Sequence, residues 1–258
     1  MKYLLFILVF LAACSSDKPD GRTEAEILYR EAEDLMKSER YILATEKLNV
    51  IKTQHPYSFY ATPAELMQAD ILYLQENYVE AAASYILFRD FHPRHERIPY
   101  VVFKIADSYF KQIPETIDRD LEPALEAVRY YQEVIAKYPE TSYKADAEGR
   151  IVECNTMLRQ KDEYIADFYF KTKVYGAARY WYLDILANHQ EKKTRRHAME
   201  RVVIATAKLK EFDACINYAE KFYDQVGKRA KKEIESTKES CQKDQEAAAE
   251  AEASNQES

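Results

Sequence analysis

Three prolines, Pro56, Pro93 and Pro139, each close a stretch with an alanine twelve residues upstream (Ala44, Ala81, Ala127) and a large side chain eight upstream (Leu48, Tyr85, Tyr131). Residues four apart lie on one helix face, and a proline just beyond the last turn cannot continue the helix. The pattern therefore predicts one helix used three times. A further unit without the proline reads Tyr175, Ala178, Tyr182, its tyrosine three before the alanine as in Tyr41 and Tyr78; a weaker fifth reads Phe212, Cys215, Ala219. Upstream of these, Ala32, Ala69, Ala106 and Ala166 are each followed three positions later by a bulky residue (Leu35, Leu72, Tyr109, Tyr169), as expected where two helices cross closely. With 4 glycines in 258 residues, the chain has few places for the positive-φ turns of hairpins, so the fold is read as all-α.

This spacing resembles the tetratricopeptide (TPR) repeat, a helix-turn-helix unit of about 34 residues. No single unit can bury its apolar face alone, so the expected fold is a TPR superhelix, an α-solenoid of about five repeats with a concave surface lined by the first helices. Residues 24–140 are expected to hold repeats 1–3 and residues 141–225 repeats 4–5. The spacing breaks at residues 113–123, IPETIDRDLEP, which reads as an insertion. Between Thr141 and Lys171 there is no proline and a single glycine, which predicts one long helix. Residues 226–258 are charged and rich in alanine and glutamate. They are expected to continue as a solvated helix to Lys243 and then as a disordered acidic tail, since AAAEAEASNQES cannot build a core.

At the other end, an apolar run that follows Lys2 closes on Leu11-Ala12-Ala13-Cys14, a lipobox. The run, of about ten residues, is too short for a bilayer that needs about twenty. Residues 1–13 are thus read as a lipoprotein signal peptide, Cys14 as the first mature residue, and residues 14–23 as a lipidated linker. Cys14 would carry a diacylglyceryl group and an N-linked acyl chain, palmitate among them, which together anchor stably where one chain would not. Ser15 and Ser16 after the cysteine resemble outer-membrane sorting, so the expected location is the periplasmic face of the outer membrane.

The formal net charge of −7 and the export signal argue against nucleic acid as a partner. No phosphate-cradling glycine loop, C-x-x-C, H-E-x-x-H or G-x-S-x-G occurs, so no catalytic residue is assigned and the chain is read as no enzyme. His92 and His95 stand around Pro93 in an inter-repeat turn without a further ligand at defined spacing, and are read as turn residues; neither a metal nor a cofactor beyond the lipid is expected. Cys154 and Cys215 occupy positions suited to small buried side chains. Cys241, in the polar tail, either pairs with Cys215 or stays free, and spacing supplies no geometry to choose.

Several strings resemble the BamD family (YfiO/ComL) of lipoproteins of the outer-membrane β-barrel assembly (BAM) machinery, over roughly Ala25 to Tyr223. Besides the lipobox they are His55-Pro56-Tyr57-Ser58-Phe59-Tyr60-Ala61, similar to the family's Y-P-x-S-x-Y-A, and His92-Pro93-Arg94-His95, similar to H-P-x-H-P. Others are Asp118-Arg119-Asp120, Tyr138-Pro139 with Tyr143, Asp146-Ala147 and Arg150, and Ala166 with Tyr169. The chain departs from the pattern at His55, Glu96, Pro99 and Lys173, where the family has tyrosine, proline, aspartate and glycine, and in its acidic tail.

The resemblance implies a scaffold that assists outer-membrane protein folding and insertion. Its implied partners are a BamA-like POTRA/β-barrel subunit, other BAM lipoproteins, unfolded outer-membrane proteins and, through the lipid, the membrane. Residues 191–210 hold seven Lys/Arg against two acids, a basic patch that would orient an acidic partner. Lys192, Arg195, Arg196 and Arg201 are therefore the expected contacts for the barrel subunit, Arg195 foremost for its T-R-x-x-A context. Tyr57, Phe59, Tyr60, Tyr73 and Tyr100 are the expected contacts for an aromatic-ended substrate strand, each also explicable as packing. The alternative is another TPR lipoprotein of the envelope, such as a secretin pilotin; an envelope enzyme would need an acid/base or nucleophile cluster that the sequence does not offer.

Overall fold

A computed structural model describes the backbone of residues 23–256 and the side chains of residues 23–251; the signal peptide, Cys14 and nearly all the linker lie outside the described residues. The chain is all helical there: α1 (Glu24–Lys37), α2 (Tyr41–Gln54), α3 (Ala61–Leu74), α4 (Tyr78–Phe91), α5 (Ile98–Lys111), α6 (Glu122–Lys137), α7 (Lys144–Lys171), α8 (Tyr175–Asn188), α9 (Lys192–Lys208), α10 (Phe212–Phe222), a 3-10 turn (Tyr223–Gln225) and α11 (Lys228–Gln256). Among the described residues no helix is long and apolar enough to cross a membrane.

The repeat alignment is visible in burial. Ala44, Ala81, Ala127 and Ala178 are fully buried, as are Leu48, Tyr85, Tyr131 and Tyr182 one turn on and the crossing alanines Ala32, Ala69, Ala106 and Ala166. The turn from first to second helix is equally regular. Glu39, Glu76, Lys173 and Lys210 all take φ near +60°. Around each, the next residue's N–H reaches five residues back, as in Arg40 to Leu35 and Asn77 to Leu72, the Schellman closure of a helix end. Glycine suits that conformation best; here charged residues hold it at a cost of about 1–2 kcal/mol each. The second helices end at His55, His92, Tyr138 and His189. Proline after the first three blocks continuation.

The described chain forms two compact units divided between Gln112 and Ile113, within the stretch expected to hold repeats 1–3. The cause is the insertion: residues 113–121 replace the tight turn between α5 and α6, so the third repeat's helices fall in different units. In the first unit each helix from α1 to α5 packs on the next. In the second, α6 packs on the long α7, and α7 to α11 follow in order.

The tail differs most from expectation. Instead of a solvated helix with a disordered end, α11 packs on α9 and α10 and buries Ala230, Ile234 and Cys241 in the second unit's core. Cys241 is bonded to Cys215 of α10, with Cα atoms 6.6 Å apart. Cys154 is buried and free.

Candidate functional site

In the first unit the turn after α2 exposes aromatic rings. Tyr57 stands free in solvent and Phe59 is 84% exposed, edge-on to Tyr60, which leans on Tyr29 with ring centres 5.3 Å apart. The turn after α4 supplies a facing wall: Phe91 is 75% exposed, and Phe88 sits beneath His92 and His95 at 4.8 and 5.2 Å. His92 is held by Glu65, 2.8 Å from its Nε2. Between the turns lies a cleft of about 950 Å³ lined by Tyr29, Phe59, Phe91, Pro93, Arg94 and Arg97. Its Ser58 hydroxyl is buried and has no hydrogen-bond partner among the described residues. Rings, prolines and two guanidinium groups suit a peptide end that carries an aromatic side chain and a carboxylate.

Of the five expected aromatic contacts, the cleft itself gathers Phe59, with Tyr60 packed behind it. Tyr73 and Tyr100 are engaged elsewhere. Tyr100 and Tyr85 both donate to Asp70, each at 2.7 Å, and Tyr73 donates to the buried Asp107 at 2.5 Å. Burial, reinforced by those carboxylates, raises the hydroxyl pKa of all three well above the ordinary range. The Lys104 ammonium lies 3.5 Å from the centre of the Tyr73 ring, its pKa lowered by burial against the opposing pull of Asp107 and Asp70.

Sequence reasoning missed that this cluster recurs 97 residues on. Asp167 accepts from Tyr182 at 2.6 Å and pairs with His197 at 2.9 Å, and Arg201 lies over Phe170 at 4.5 Å. His189 pairs with Asp162 at 2.7 Å as His92 does with Glu65. The constant offset was readable in the Asp-Tyr spacing of 15 shared by Asp70–Tyr85 and Asp167–Tyr182; which side chains it joins was not.

In the second unit the basic patch is divided by its geometry. Glu191 caps α9, accepting the Thr194 N–H at 2.6 Å, and backbone hydrogen bonds from Thr194 and Lys193 pull its carboxyl down to about 2. Arg195 turns inward: its Nη1 donates to the carbonyls of Leu186 and His189 at 2.5 and 2.9 Å, closing the C-terminus of α8. Arg201 is held on Phe170. That leaves Lys208 and Lys210 at the far end of α9 and, at its N-terminal turn, Lys192, Lys193 and Arg196, all exposed and without an ion pair among the described residues. Cations there oppose the helix dipole by about 0.3–1 kcal/mol each, so folding does not explain their position. Among the described residues no group of three or more His, Cys, Asp or Glu is placed to hold a metal ion.

A family model described as "YfiO: Outer membrane lipoprotein" matches residues 22–222. The outer membrane protein assembly factor BamD of Rickettsia prowazekii is 32% identical over 202 residues, 78% of this chain and 80% of that protein. The factor of the same name in Neisseria gonorrhoeae is 26% identical, covering 77% and 80%, and that of Vibrio cholerae 26%, covering 67% and 76%. Among solved structures, the TPR2AB-domain:pHSP90 complex of yeast Sti1 is similar at a TM-score of 0.44 and 15% identity, over 88% of this chain and 86% of that one.

Proposed function

The chain belongs to the YfiO family of outer membrane lipoproteins, and on that premise we propose that it works as an assembly factor for outer membrane proteins, a scaffold with no reaction of its own. Cys14 carries the lipid that holds it at the periplasmic face of the membrane. The N-terminal turn of α9 meets an acidic surface on the POTRA region of the barrel subunit through Lys192 and Arg196, with Lys193 beside them. Arg195 and Arg201 are positioning residues, one closing α8 and the other seating α9 on Phe170. The observation that carries this is the cluster of three unpaired cations at the positive end of a helix, in a chain of net charge −7. The cleft of the first unit takes the aromatic end of an unfolded substrate, rings against Phe59 and Phe91 and the terminal carboxylate against Arg94 or Arg97. Other assembly lipoproteins complete the set of partners.

The test is recovery of the POTRA-barrel subunit with the tagged, full-length chain from detergent-solubilised outer membranes. Lys192→Glu with Arg196→Glu is expected to weaken the complex at least about tenfold, a loss of about 1.4 kcal/mol, and to leave the thermal midpoint where it is. Undiminished recovery sinks the α9 assignment. A secretin recovered in place of a barrel protein sinks the assembly reading.

A further inference from the structure

The second unit has a cleft of about 710 Å³ that no role above uses. It lies among the start of α6, the middle of α7 and the turn from α8 to α9. By the 97-residue offset it is the counterpart of the first unit's cleft: Thr156 stands for Phe59, Asn188 for Phe91, Gln190 for Pro93 and Glu191 for Arg94. Phe91 and Pro93 give way to the amides Asn188 and Gln190, Arg94 to the acid Glu191, and Phe59 to the hydroxyl of Thr156, while Thr62 to Arg159 runs the other way in charge. The insertion adds the remaining wall, Asp120 and Leu121, fixed by the Lys161 ammonium on the Arg119 carbonyl.

Acids outnumber cations in the lining, Asp120, Glu122, Asp162 and Glu191 against Arg159 and Lys161. Both lining cations are occupied, Lys161 as just described and Arg159 by Glu163 and Thr194 at 3.1 and 3.0 Å. Asp162 is taken by His189, and Glu191 by the Thr194 N–H. Asp120 accepts the Glu122 N–H at 3.1 Å, and neither Asp120 nor Glu122 forms an ion pair among the described residues. Beside them Leu125 and Val152, 50% and 65% exposed, offer apolar surface from two adjacent helices.

We propose that this cleft is a peptide-binding site, which takes an extended segment of a partner protein with an aliphatic side chain next to a lysine or arginine. The aliphatic group covers Leu125 and Val152, the cation meets Asp120 and Glu122, and Asn155, Asn188 and Gln190 hydrogen-bond the segment's backbone. The inference rests on the second unit's geometry and stands whatever occupies the first cleft.

The probe is a fluorescein-labelled hexapeptide of alternating lysine and valine, its anisotropy read against the full mature chain in detergent. Saturable binding is expected, weakened at least about tenfold by Val152→Asp and by the pair Asp120→Asn and Glu122→Gln, with no binding of a glutamate-valine peptide. Val152 is exposed, so its variant folds; Leu125→Asp gives an independent copy of the same test. Phe59→Ala, in the other cleft, is expected to leave the affinity for this lysine-valine probe unchanged. Absence of saturable binding overturns the proposal. So does binding indifferent to both Val152→Asp and Leu125→Asp, which would mark general attraction to an acidic protein, and so does loss on Phe59→Ala.

Discussion

Asp167 shows how much one carboxylate does at a repeat crossing. It accepts the hydroxyl of Tyr182, a fully buried residue, and pairs with His197 of the next first helix. The His197 hydrogen bond, with a smaller contribution from Tyr182, holds its pKa below the ordinary carboxylate value. A depressed folded-state pKa means stabilisation that is present above the unfolded value of about 3.9 and lost as pH falls through the folded one. Asp167→Ala also leaves the Tyr182 hydroxyl without its acceptor, at a cost of about 1–3 kcal/mol. Urea unfolding at pH 7 should show that loss, and the gap between wild type and variant should narrow below pH 4. An equal gap at pH 7 and pH 3 would refute the charge's part in it. The same chemistry explains why aromatic residues were the hardest to read from sequence. Tyr57, Phe59, Tyr73 and Tyr100 are alike as residue types, and the first two are exposed. What ties down the hydroxyls of Tyr73 and Tyr100 is a carboxylate 34 or 30 residues away in sequence.

At the scale of elements, the second helices were legible because an alanine, a large residue four later and a proline at a fixed distance are local signals. The continuous α7 was legible for the same reason: nothing between Thr141 and Lys171 stops a helix. α11 was not, because its buried stripe is three residues, Ala230, Ile234 and Cys241, spread over more than three turns of otherwise charged helix. Each is modest alone; the helix is held by burial against α9 and α10, by Lys231–Asp224 and Lys238–Glu220 pairs at its flank, and by the bond to Cys215. A cross-link between positions 26 apart constrains the unfolded chain by about 2–4 kcal/mol. Cys241→Ser is therefore expected to lower the unfolding free energy measured in denaturant by about that much and to open α11 to limited proteolysis while α1–α5 keep their cleavage pattern. A variant whose α11 resists protease as well as the wild type does would mean that packing alone holds the helix. α11 also lies beyond the stretch that matches the family, residues 22–222, so its docking is an addition to the repeats.

At the scale of the whole molecule, charge separates roles that the fold treats alike. The repeat geometry places a cleft at the same position in each unit and a basic turn at the head of α9, all in a chain of net charge −7. Sequence composition made the basic patch visible, yet could not separate the arginines turned inward from the cations left in solvent; that depends on where the carbonyls of Leu186 and His189 and the ring of Phe170 come to lie. If Lys192, Lys193 and Arg196 steer an acidic POTRA surface, their effect belongs to encounter more than to residence, because exposed charges act over a Debye length of about 30 Å at 0.01 M salt and about 3 Å at 1 M. Stopped-flow association with purified POTRA domains should therefore slow at least about tenfold between 0.02 and 0.5 M NaCl, with dissociation changing much less. In Lys192→Glu with Arg196→Glu the low-salt rate should fall to near the high-salt value of the wild type and its salt dependence flatten or reverse. Slowing by salt that is the same in both proteins would place the steering charge elsewhere on the chain and leave the α9 cations without their role.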